Sequence, residues 1–287
     1  MTSKFRKKRK KIIKRTIFFL ALLFLLILVS YFYFRAAEDK KQEEQKDILS
    51  NQNKEKQNLE PKTQIKTIKK TEKNEFFYTI EIKYPEIIAQ ENNFDFSKLN
   101  AALFDFVNQI QNEFEKELKT WRKNFLSEKK EESSLIIDYD VILLNSKALS
   151  VKFRVFEYLE NAVHPSIYSL TFNYDIKKSL KLELGDLFSV NFDYLKFLSE
   201  FSRETLFAQL KNTKENLTDY QWLENGTAPI IDNFATFALS DKGLIIYFNP
   251  YQVAPPSSGI SEILIPKDLI IERDPDTPLI SLISKSD

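Results

Sequence analysis

The chain has 287 residues, of which 43% are apolar and 25 are phenylalanine, enough material for one large core or two small ones. Cysteine is absent, which excludes disulfide frameworks, thiolate metal sites and lipid attachment at a processed amino-terminal cysteine. The formal net charge of +1 divides unevenly, because residues 1–35 hold ten Lys or Arg and no acid, whereas residues 76–287 hold 22 bases and 32 acids, a net charge of −10.

The amino-terminal end predicts a single-pass membrane anchor. Nine positive charges lie in residues 4–15, and the 19 residues that follow, 16–34, carry no charge. Nineteen helical residues span roughly 28 Å, close to the hydrocarbon thickness of a bilayer. Because positive charge stays on the cytoplasmic side, residues 1–15 are expected in the cytoplasm and the body outside. A cleaved signal peptide is the alternative, but the residues before Ala36-Ala37 are poor for cleavage.

Residues 35–75 are interpreted as a polar stalk. Residues 36–75 hold nine acids and ten bases and almost no aromatic residue. Such a segment cannot bury enough apolar surface to offset the entropy lost on ordering. Its interleaved acids also argue against nucleic acid as a partner, since they weaken attraction to phosphates. The folded body is expected to begin near Phe76.

The body alternates between strand and helix patterns. Residues 76–85 predict a strand that Pro85 ends, and an amphipathic helix is expected from Ser97 to about Glu128. The apolar stripe of this helix, expected to face the sheet, consists of Leu99, Leu103, Phe106, Ile110, Phe114, Leu118, Trp121 and Phe125. Successive antiparallel strands are then predicted at residues 134–145, 148–159, 167–176 and 179–184.

The second half predicts a helix at residues 192–211, a shorter piece through Trp222 ended by Asn225-Gly226, and a hairpin at 233–248. Gly243 supplies the positive φ that the hairpin turn requires. The order of elements predicts an α+β fold, an antiparallel sheet packed by helices. The expected divisions are listed by residue number: head 1–15, transmembrane helix 16–34, stalk 35–75, amino-terminal module 76–160, carboxy-terminal module 161–271 and tail 272–287.

The stretch FNPYQVAPPSSGISEILIP, residues 248–266, holds four of the ten prolines and one of the four glycines. Prolines 250, 255 and 256 remove backbone donors and fix φ, which predicts a stiff loop between two strands. Stiff loops suit binding surfaces because little entropy is lost on association. The candidate ligand-binding residues are Tyr251, Gln252, Pro255, Ser257 and Ser258. The alternative is a loop that only caps the core, with Tyr251 folded inward.

Three pieces carry a family resemblance: VHPSIYSLTFNYDI with LELGDLF, and FNPYQVAPPSSGISEILIP. In this order they resemble the extracytoplasmic domain of unknown function in RsiV-type anti-sigma factors, which sense lysozyme. The same domain type precedes the catalytic part of some peptidoglycan deacetylases, and IEIKYPEI with the long helix resembles its usual companion module. The resemblance implies a ligand contact near His164, although Asn161-Ala162 stand where the family often has glycines. The fifteen-residue head is too short for a sigma-binding domain, so an anti-sigma role is not expected.

Catalytic candidates are weak. His164 is the one histidine, which excludes metal sites built on two histidines, and it stands before Pro165, where a structural hydrogen bond is the simpler role. Asp138 and Asp140 lie on one strand face, and paired carboxylates hydrolyse glycosides, but a solvated face is the commoner role for such a pair. No nucleophile elbow or phosphate-binding glycine loop is present. A calcium site from scattered aspartates stays open.

The sequence therefore predicts a membrane-anchored extracytoplasmic binding module that is not an enzyme and needs no cofactor or metal. Its expected partners are the membrane, through residues 16–34, and a cationic protein or cell-wall ligand at the cell envelope. A cell-wall glycan hydrolase using paired carboxylates is the alternative function. A purely structural envelope protein is a third interpretation.

Overall fold

The computed structural model describes residues 63–74, 78–90, 95–124, 132–212 and 220–284. These residues form an α+β fold, as predicted. The strands are β1 Thr63–Asn74, β2 Tyr78–Ala89, β3 Ser133–Leu144, β4 Ala148–Tyr158, β5 Ser166–Asp175, β6 Leu180–Lys181, β7 Phe237–Ser240, β8 Gly243–Phe248 and β9 Ser261–Pro266. The helices are α1 Ser97–Asn124, α2 Tyr194–Asn212, α3 Tyr220–Gly226, α4 Lys267–Arg273 and α5 Leu279–Ile283.

The predicted head, transmembrane helix and first part of the stalk, residues 1–62, lie outside the described residues. Within the described ranges, no helix has the length and apolarity needed to cross a bilayer.

The large sheet has six strands in the order β1-β2-β3-β4-β5-β6. Its neighbours are antiparallel except β2 and β3, which run parallel from the pair Tyr78/Ser133 to the pair Ile82/Ile137. The prediction of a purely antiparallel sheet is therefore wrong at this pair. The reason is the connection, because α1 carries the chain back along the sheet before β3 begins, and a long helical crossover allows parallel pairing where a tight turn does not.

Helix α1 packs its apolar stripe on one face of the large sheet. The buried stripe residues are Leu99, Leu103, Ile110, Phe114 and Leu118, which share a core with strands β2 to β5. The prediction that Phe114 and Leu118 face the sheet is confirmed. Phe106 and Trp121 are partly buried at the margins of this core, and Phe125 lies outside the described residues. Val107 and Gln111 are also buried, so the packed stripe is wider than the sequence pattern indicated.

Strand β1 lies in the segment that was interpreted as stalk. It pairs with β2 over its whole length, from Thr63/Ala89 to Asn74/Tyr78, so the folded body begins before Phe76. The strand was missed because β1 is an edge strand with four exposed lysines, Lys66, Lys69, Lys70 and Lys73, and so has the composition of a solvated segment. Lysines on an edge strand also discourage pairing with further chains.

The small sheet contains β7, β8 and β9, all antiparallel. Gly243 opens β8 with φ 144°, which confirms the positive φ expected at this turn. A Cβ at Gly243 would lie 2.1 Å from the carbonyl oxygen of Ile265, so β9 passes too close for any side chain. The hairpin begins at Phe237 rather than at residue 233, because Ile231–Phe234 form a 3-10 turn.

Polar side chains join the two sheets. The Ser150 hydroxyl donates to Asn173 Oδ1 at 2.6 Å and accepts from the backbone N–H of Leu239 at 3.0 Å. Asn173 Nδ2 donates to the carbonyl oxygen of Phe237 at 2.8 Å. Since Ser150 and Asn173 are both buried and directly opposite on β4 and β5, these bonds fix where β7 lies against the large sheet.

The expected tail, residues 272–287, is part of the fold through residue 284. A second apolar core packs residues of the small sheet against residues of α2 to α5. Leu279, Leu282 and Ile283 on α5 are buried in this second core. Asp274 Oδ2 accepts a hydrogen bond of 2.9 Å from the backbone N–H of Ser189.

The two predicted modules share one sheet, because the boundary at 160/161 falls in the turn between the paired strands β4 and β5.

Candidate binding surface

The loop between β8 and β9, residues 249–259, is where the sequence predicted a stiff connection between two strands. Pro256–Ser258 form a 3-10 turn within it, and Gly259 follows with φ 70°. Tyr251 also has a positive φ, 72°, although it carries a side chain. A left-handed conformation costs a residue with a Cβ roughly 1–2 kcal/mol, and strain of this kind concentrates at functional sites.

The loop turns some residues inward and others outward. Val253 and Ala254 are buried in or beside the second core, with 2% and 5% of their surface exposed. Tyr251 points away from the core and is 52% exposed. The loop therefore caps the core through Val253 and Ala254, but Tyr251 does not fold inward as the capping alternative expected.

Trp222 on α3 supports the exposed tyrosine. Its ring stacks on that of Tyr251, with centroids 6.1 Å apart and an interplanar angle of 29°. We call this pair the aromatic platform. In the sequence Trp222 stands out only as part of a short helical piece, three residues before Asn225 and the break at Asn225-Gly226.

Gln252 holds the loop in place rather than facing outward. Its Nε2 donates to the carbonyl oxygens of Asn233 at 2.8 Å and Gly226 at 3.4 Å. Its Oε1 accepts from the backbone N–H of Asn249 at 3.2 Å. The side-chain oxygen and nitrogen of Gln252, which was predicted to contact a ligand, are thus hydrogen-bonded within the protein. Gln252 therefore positions the loop that carries Tyr251 of the aromatic platform.

Asn249 fixes the other end of the loop to the large sheet. Its Oδ1 accepts from the backbone N–H of Ser169 at 2.7 Å, and its Nδ2 donates to the Ser169 carbonyl oxygen at 3.0 Å. The amide therefore pairs with β5 as a neighbouring strand would, and the loop is tied to both sheets.

The remaining predicted residues occupy different places. Pro255 is half-buried before the 3-10 turn, Ser257 is exposed and Ser258 is half-buried. His164 is exposed in the turn between β4 and β5, with Nδ1 3.3 Å from the carbonyl oxygen of Pro165. Among the described residues, no hydrogen bond or ion pair joins His164 to the loop. The loop residues therefore form one surface without a direct link to His164.

The chain around the aromatic platform is acidic. Residues 220–240 contain Glu224 and Asp232 and no Lys or Arg, and residues 243–266 contain Glu262 and no Lys or Arg. Ile230 and Ile231, next to Asp232, are 54% and 47% exposed. The segments next to the platform along the chain thus hold exposed aliphatic groups and acids, while Lys152 lies 4.0 Å from Glu262 and Arg203 donates to Thr227 directly after α3.

The carboxylates considered for glycoside hydrolysis are held in ion pairs. Asp138 lies 3.5 Å from Lys83 Nζ and 3.7 Å from Arg154 Nη2, and Asp140 bonds to Arg154 Nη1. Two carboxylates that pair with the same guanidinium form a cross-strand charge network on a sheet face. No group of three or more acidic or histidine side chains among the described residues is arranged to hold a metal ion.

The loop, Trp222 and the small sheet fall within residues 185–268, which match the family model described as protein of unknown function DUF3298. Residues 185–268 are thus similar to this family. The resemblance seen in the sequence is confirmed, since the curated relatives are the two kinds of protein that it indicated.

The first relative is the peptidoglycan-N-acetylmuramic acid deacetylase PdaC of Bacillus subtilis, 31% identical over 173 residues. The alignment covers 60% of this chain and 35% of PdaC. The second is the anti-sigma-V factor RsiV of the same organism, 25% identical over 196 residues, which cover 67% of this chain and 64% of RsiV. The chain thus spans about a third of one relative and under two thirds of the other.

Two solved structures of DUF3298 proteins share the fold. The one from Bacteroides fragilis aligns with a TM-score of 0.53 and 18% identity, over 79% of this chain and 99% of its own. The one from Pseudomonas aeruginosa aligns with a TM-score of 0.51 and 12% identity, over 75% and 94%. At these identities the likeness concerns the fold alone.

The strain at Tyr251 is open to a direct measurement. We expect Tyr251→Gly to be more stable than Tyr251→Ala by about 1 kcal/mol, because both remove the ring but only glycine accepts a positive φ without strain. Urea unfolding of the two variants measures the difference. At Ser257, an exposed position without a positive φ, the order should reverse, with alanine the more stable. Equal stability of the two Tyr251 variants would contradict the strained backbone.

Proposed function

We propose that the chain is a membrane-anchored extracytoplasmic binding module that recognises a cationic protein at the cell envelope and has no catalytic activity. The observation that carries this proposal is Tyr251, a half-exposed aromatic ring kept in a strained backbone and stacked on Trp222. Large aromatic side chains dominate the energetics of protein interfaces, and a loop that is already ordered loses little entropy on binding.

Charge supports a cationic partner. Residues 60–287, the body with β1 included, carry 27 bases and 35 acids, a net charge of −8, and residues 243–266 on either side of the loop contain no Lys or Arg. Opposite net charges steer two proteins together and raise the association rate. A lysine or arginine of the partner also gains from the face of a tyrosine or tryptophan ring, by roughly 0.5–1 kcal/mol at exposed sites.

The membrane attachment and the extracytoplasmic side of the proposal rest on the sequence of the amino-terminal end. The positive charges of residues 4–15 precede an uncharged run of 19 residues, which suits a helix that spans a bilayer with its basic end in the cytoplasm. Catalysis by Asp138 and Asp140 is disfavoured because Arg154 engages both carboxylates.

Binding to cationic proteins tests the proposal. The purified body begins at residue 60, so that β1 is complete. Its binding to lysozyme, and separately to a cationic protein of unrelated fold, is measured at low and at physiological salt. We expect binding that weakens as salt rises, since exposed charges are screened beyond about 8–10 Å at physiological ionic strength. Tyr251→Ala and Trp222→Ala should each raise the dissociation rate about tenfold or more.

Phe104→Ala is the matched control, because the exposed fractions of Phe104 on α1 and of Tyr251 are similar, 49% and 52%. It should leave binding unchanged. Absence of binding at low salt would remove the proposal, and binding to isolated cell-wall glycan in place of protein would reassign the ligand. Binding that ignores Tyr251 and Trp222 would show that the aromatic platform is not the site.

A further inference from the structure

A groove with an apolar floor lies between the first half of α2 and helix α4, and its volume is about 370 Å³. The floor consists of Phe192, just before α2, Phe197 and Phe201 on α2, and Leu269 on α4. All four side chains are only partly buried against the second core. The ring centroids of Phe192 and Phe197 lie 5.5 Å apart, and those of Phe197 and Phe201 lie 6.4 Å apart. We call this surface the phenylalanine groove.

A fully exposed valine stands next to the phenylalanine groove. Val190 comes two residues before Phe192, and its side chain is not covered by any other part of the described chain. The carbonyl oxygen of Ser189 accepts a hydrogen bond of 3.0 Å from the backbone N–H of Phe192, so Val190 lies at the tip of a tight turn. A single exposed apolar residue is common on protein surfaces, but this one is placed beside an apolar hollow.

The turn that carries Val190 is fixed to the wall of the groove. The backbone N–H of Ser189 donates to Asp274 Oδ2 at 2.9 Å, and the Ser189 hydroxyl donates to Oδ1 of the same carboxylate. Asp274 is buried and directly follows Arg273, the last residue of α4, which lines the groove. The valine and the groove therefore belong to one rigid unit, and ordered groups lose little entropy on binding.

The rim of the groove carries both signs of charge. Its charged residues are Asp193, Lys196, Glu200, Glu204 and Arg273. None of the ion pairs within the described residues includes any of these five. Glu200 and Glu204 lie one helical turn apart and repel each other. The rim is thus complementary to a surface that also carries acids and bases around an apolar centre.

We infer that the phenylalanine groove is the interface of a homodimer, in which Val190 of each copy sits in the groove of the other. In a dimer with twofold symmetry both copies use the same patch, so residue i of one meets residue j of the other and the reverse contact forms as well. A knob fixed beside a hollow suits such an axis, because both knobs enter both hollows at once. The rim charges also suit it, since Lys196 and Arg273 of one copy face the acids of the other.

The dimer interface is separate from the proposed contact with a cationic protein. Neither Tyr251 nor Trp222 lines the phenylalanine groove. Dimer formation therefore leaves the aromatic platform of each copy available, and it does not depend on what the platform binds.

Native mass spectrometry of the full chain, released from detergent micelles over a range of protein concentrations, measures the fractions of monomer and dimer. We expect a dimer that grows with concentration in the wild type. Val190→Asp should raise its dissociation constant about tenfold or more, because a carboxylate would enter an apolar groove rimmed by Glu200 and Glu204. Val163→Asp is the matched control, since Val163 is also an exposed turn residue, 98% exposed, and its substitution should leave the dimer unchanged.

Disulfide cross-linking separates contact through the groove from contact through the predicted membrane anchor. The chain has no cysteine, so engineered cysteines are the only thiols. When a Val190→Cys chain and a Lys196→Cys chain with different tags are coexpressed, oxidation should link one to the other. Coexpression of Val163→Cys with Lys196→Cys should give no such product.

A full chain that stays monomeric at every concentration would overturn the inference, and so would a dimer that Val190→Asp leaves intact. If Val190→Asp weakened the binding of lysozyme to the body and not the dimer, the groove would belong to the cationic partner instead, and the inference would be wrong. Loss of the dimer in Val190→Asp would support the inference whether or not lysozyme binds.

Discussion

Replacing Phe114 with alanine should lower the free energy of unfolding by about 3–5 kcal/mol, the range seen when a buried phenylalanine is truncated. Phe114 is 2% exposed on the packed face of α1, and its ring meets that of Tyr78 on β2 edge-to-face, with centroids 6.4 Å apart. The substitution removes apolar area from the helix–sheet core and leaves a cavity between rigid elements. Denaturant unfolding of the soluble body, followed by circular dichroism, measures the loss.

Phe104→Ala provides the comparison within the same helix. Phe104 is 49% exposed, and its ring centroid lies 6.5 Å from that of Tyr84 on β2. Its truncation should cost about 1 kcal/mol or less, since most of the ring is already in water. Similar losses for Phe104→Ala and Phe114→Ala would show that the burial difference along α1 does not exist.

Gly226→Ala should destabilise the protein and displace the aromatic platform. A Cβ at Gly226, the last residue of α3, would lie 2.0 Å from the carbonyl oxygen of Gln252 and 2.8 Å from Val253 Cγ1. Overpacking against backbone costs about 3 kcal/mol. In a helix, alanine is more stable than glycine by about 1 kcal/mol, which offsets only part of this cost. We therefore expect a net loss of about 2 kcal/mol in urea unfolding.

The same substitution should weaken binding of the proposed cationic partner, because the clash moves the segment that holds Gln252 and Tyr251. Gly185→Ala is the matched control, since the nearest atom to its added Cβ is Tyr194 Oη at 3.4 Å, an ordinary contact. It should leave stability and binding close to wild type. If Gly226→Ala kept full stability, the close approach of loop and helix would be refuted.

Most of the elements around the candidate surface were predicted from the sequence, because residues close together in the chain determine them. Proline at positions 250, 255 and 256 prevents a central strand, and the loop between β8 and β9 stands where that rule placed it. Tyr251 was one of several loop residues named as candidates, and the alternative that it folds inward was left open; only the structure shows that its ring is exposed. Its partner Trp222 was not, because α3 and the loop are about thirty residues apart and no local pattern states that they touch.

The role of Gln252 was also predicted incompletely. A polar residue beside prolines is compatible with a ligand contact and with an internal hydrogen bond, and only the neighbouring carbonyl oxygens of Gly226 and Asn233 decide between them.

The sequence by itself determined the α+β class, helix α1 with its packed stripe, the β7–β8 turn at Gly243 and the proline loop, since each follows from periodicity or from backbone restrictions within a few residues. The tertiary structure decided the parallel pairing of β2 with β3, the place of the lysine-rich β1 in the sheet, and the stacking of Trp222 on Tyr251. These features depend on contacts between segments far apart in the chain, and such contacts are set by how whole faces pack rather than by local propensity.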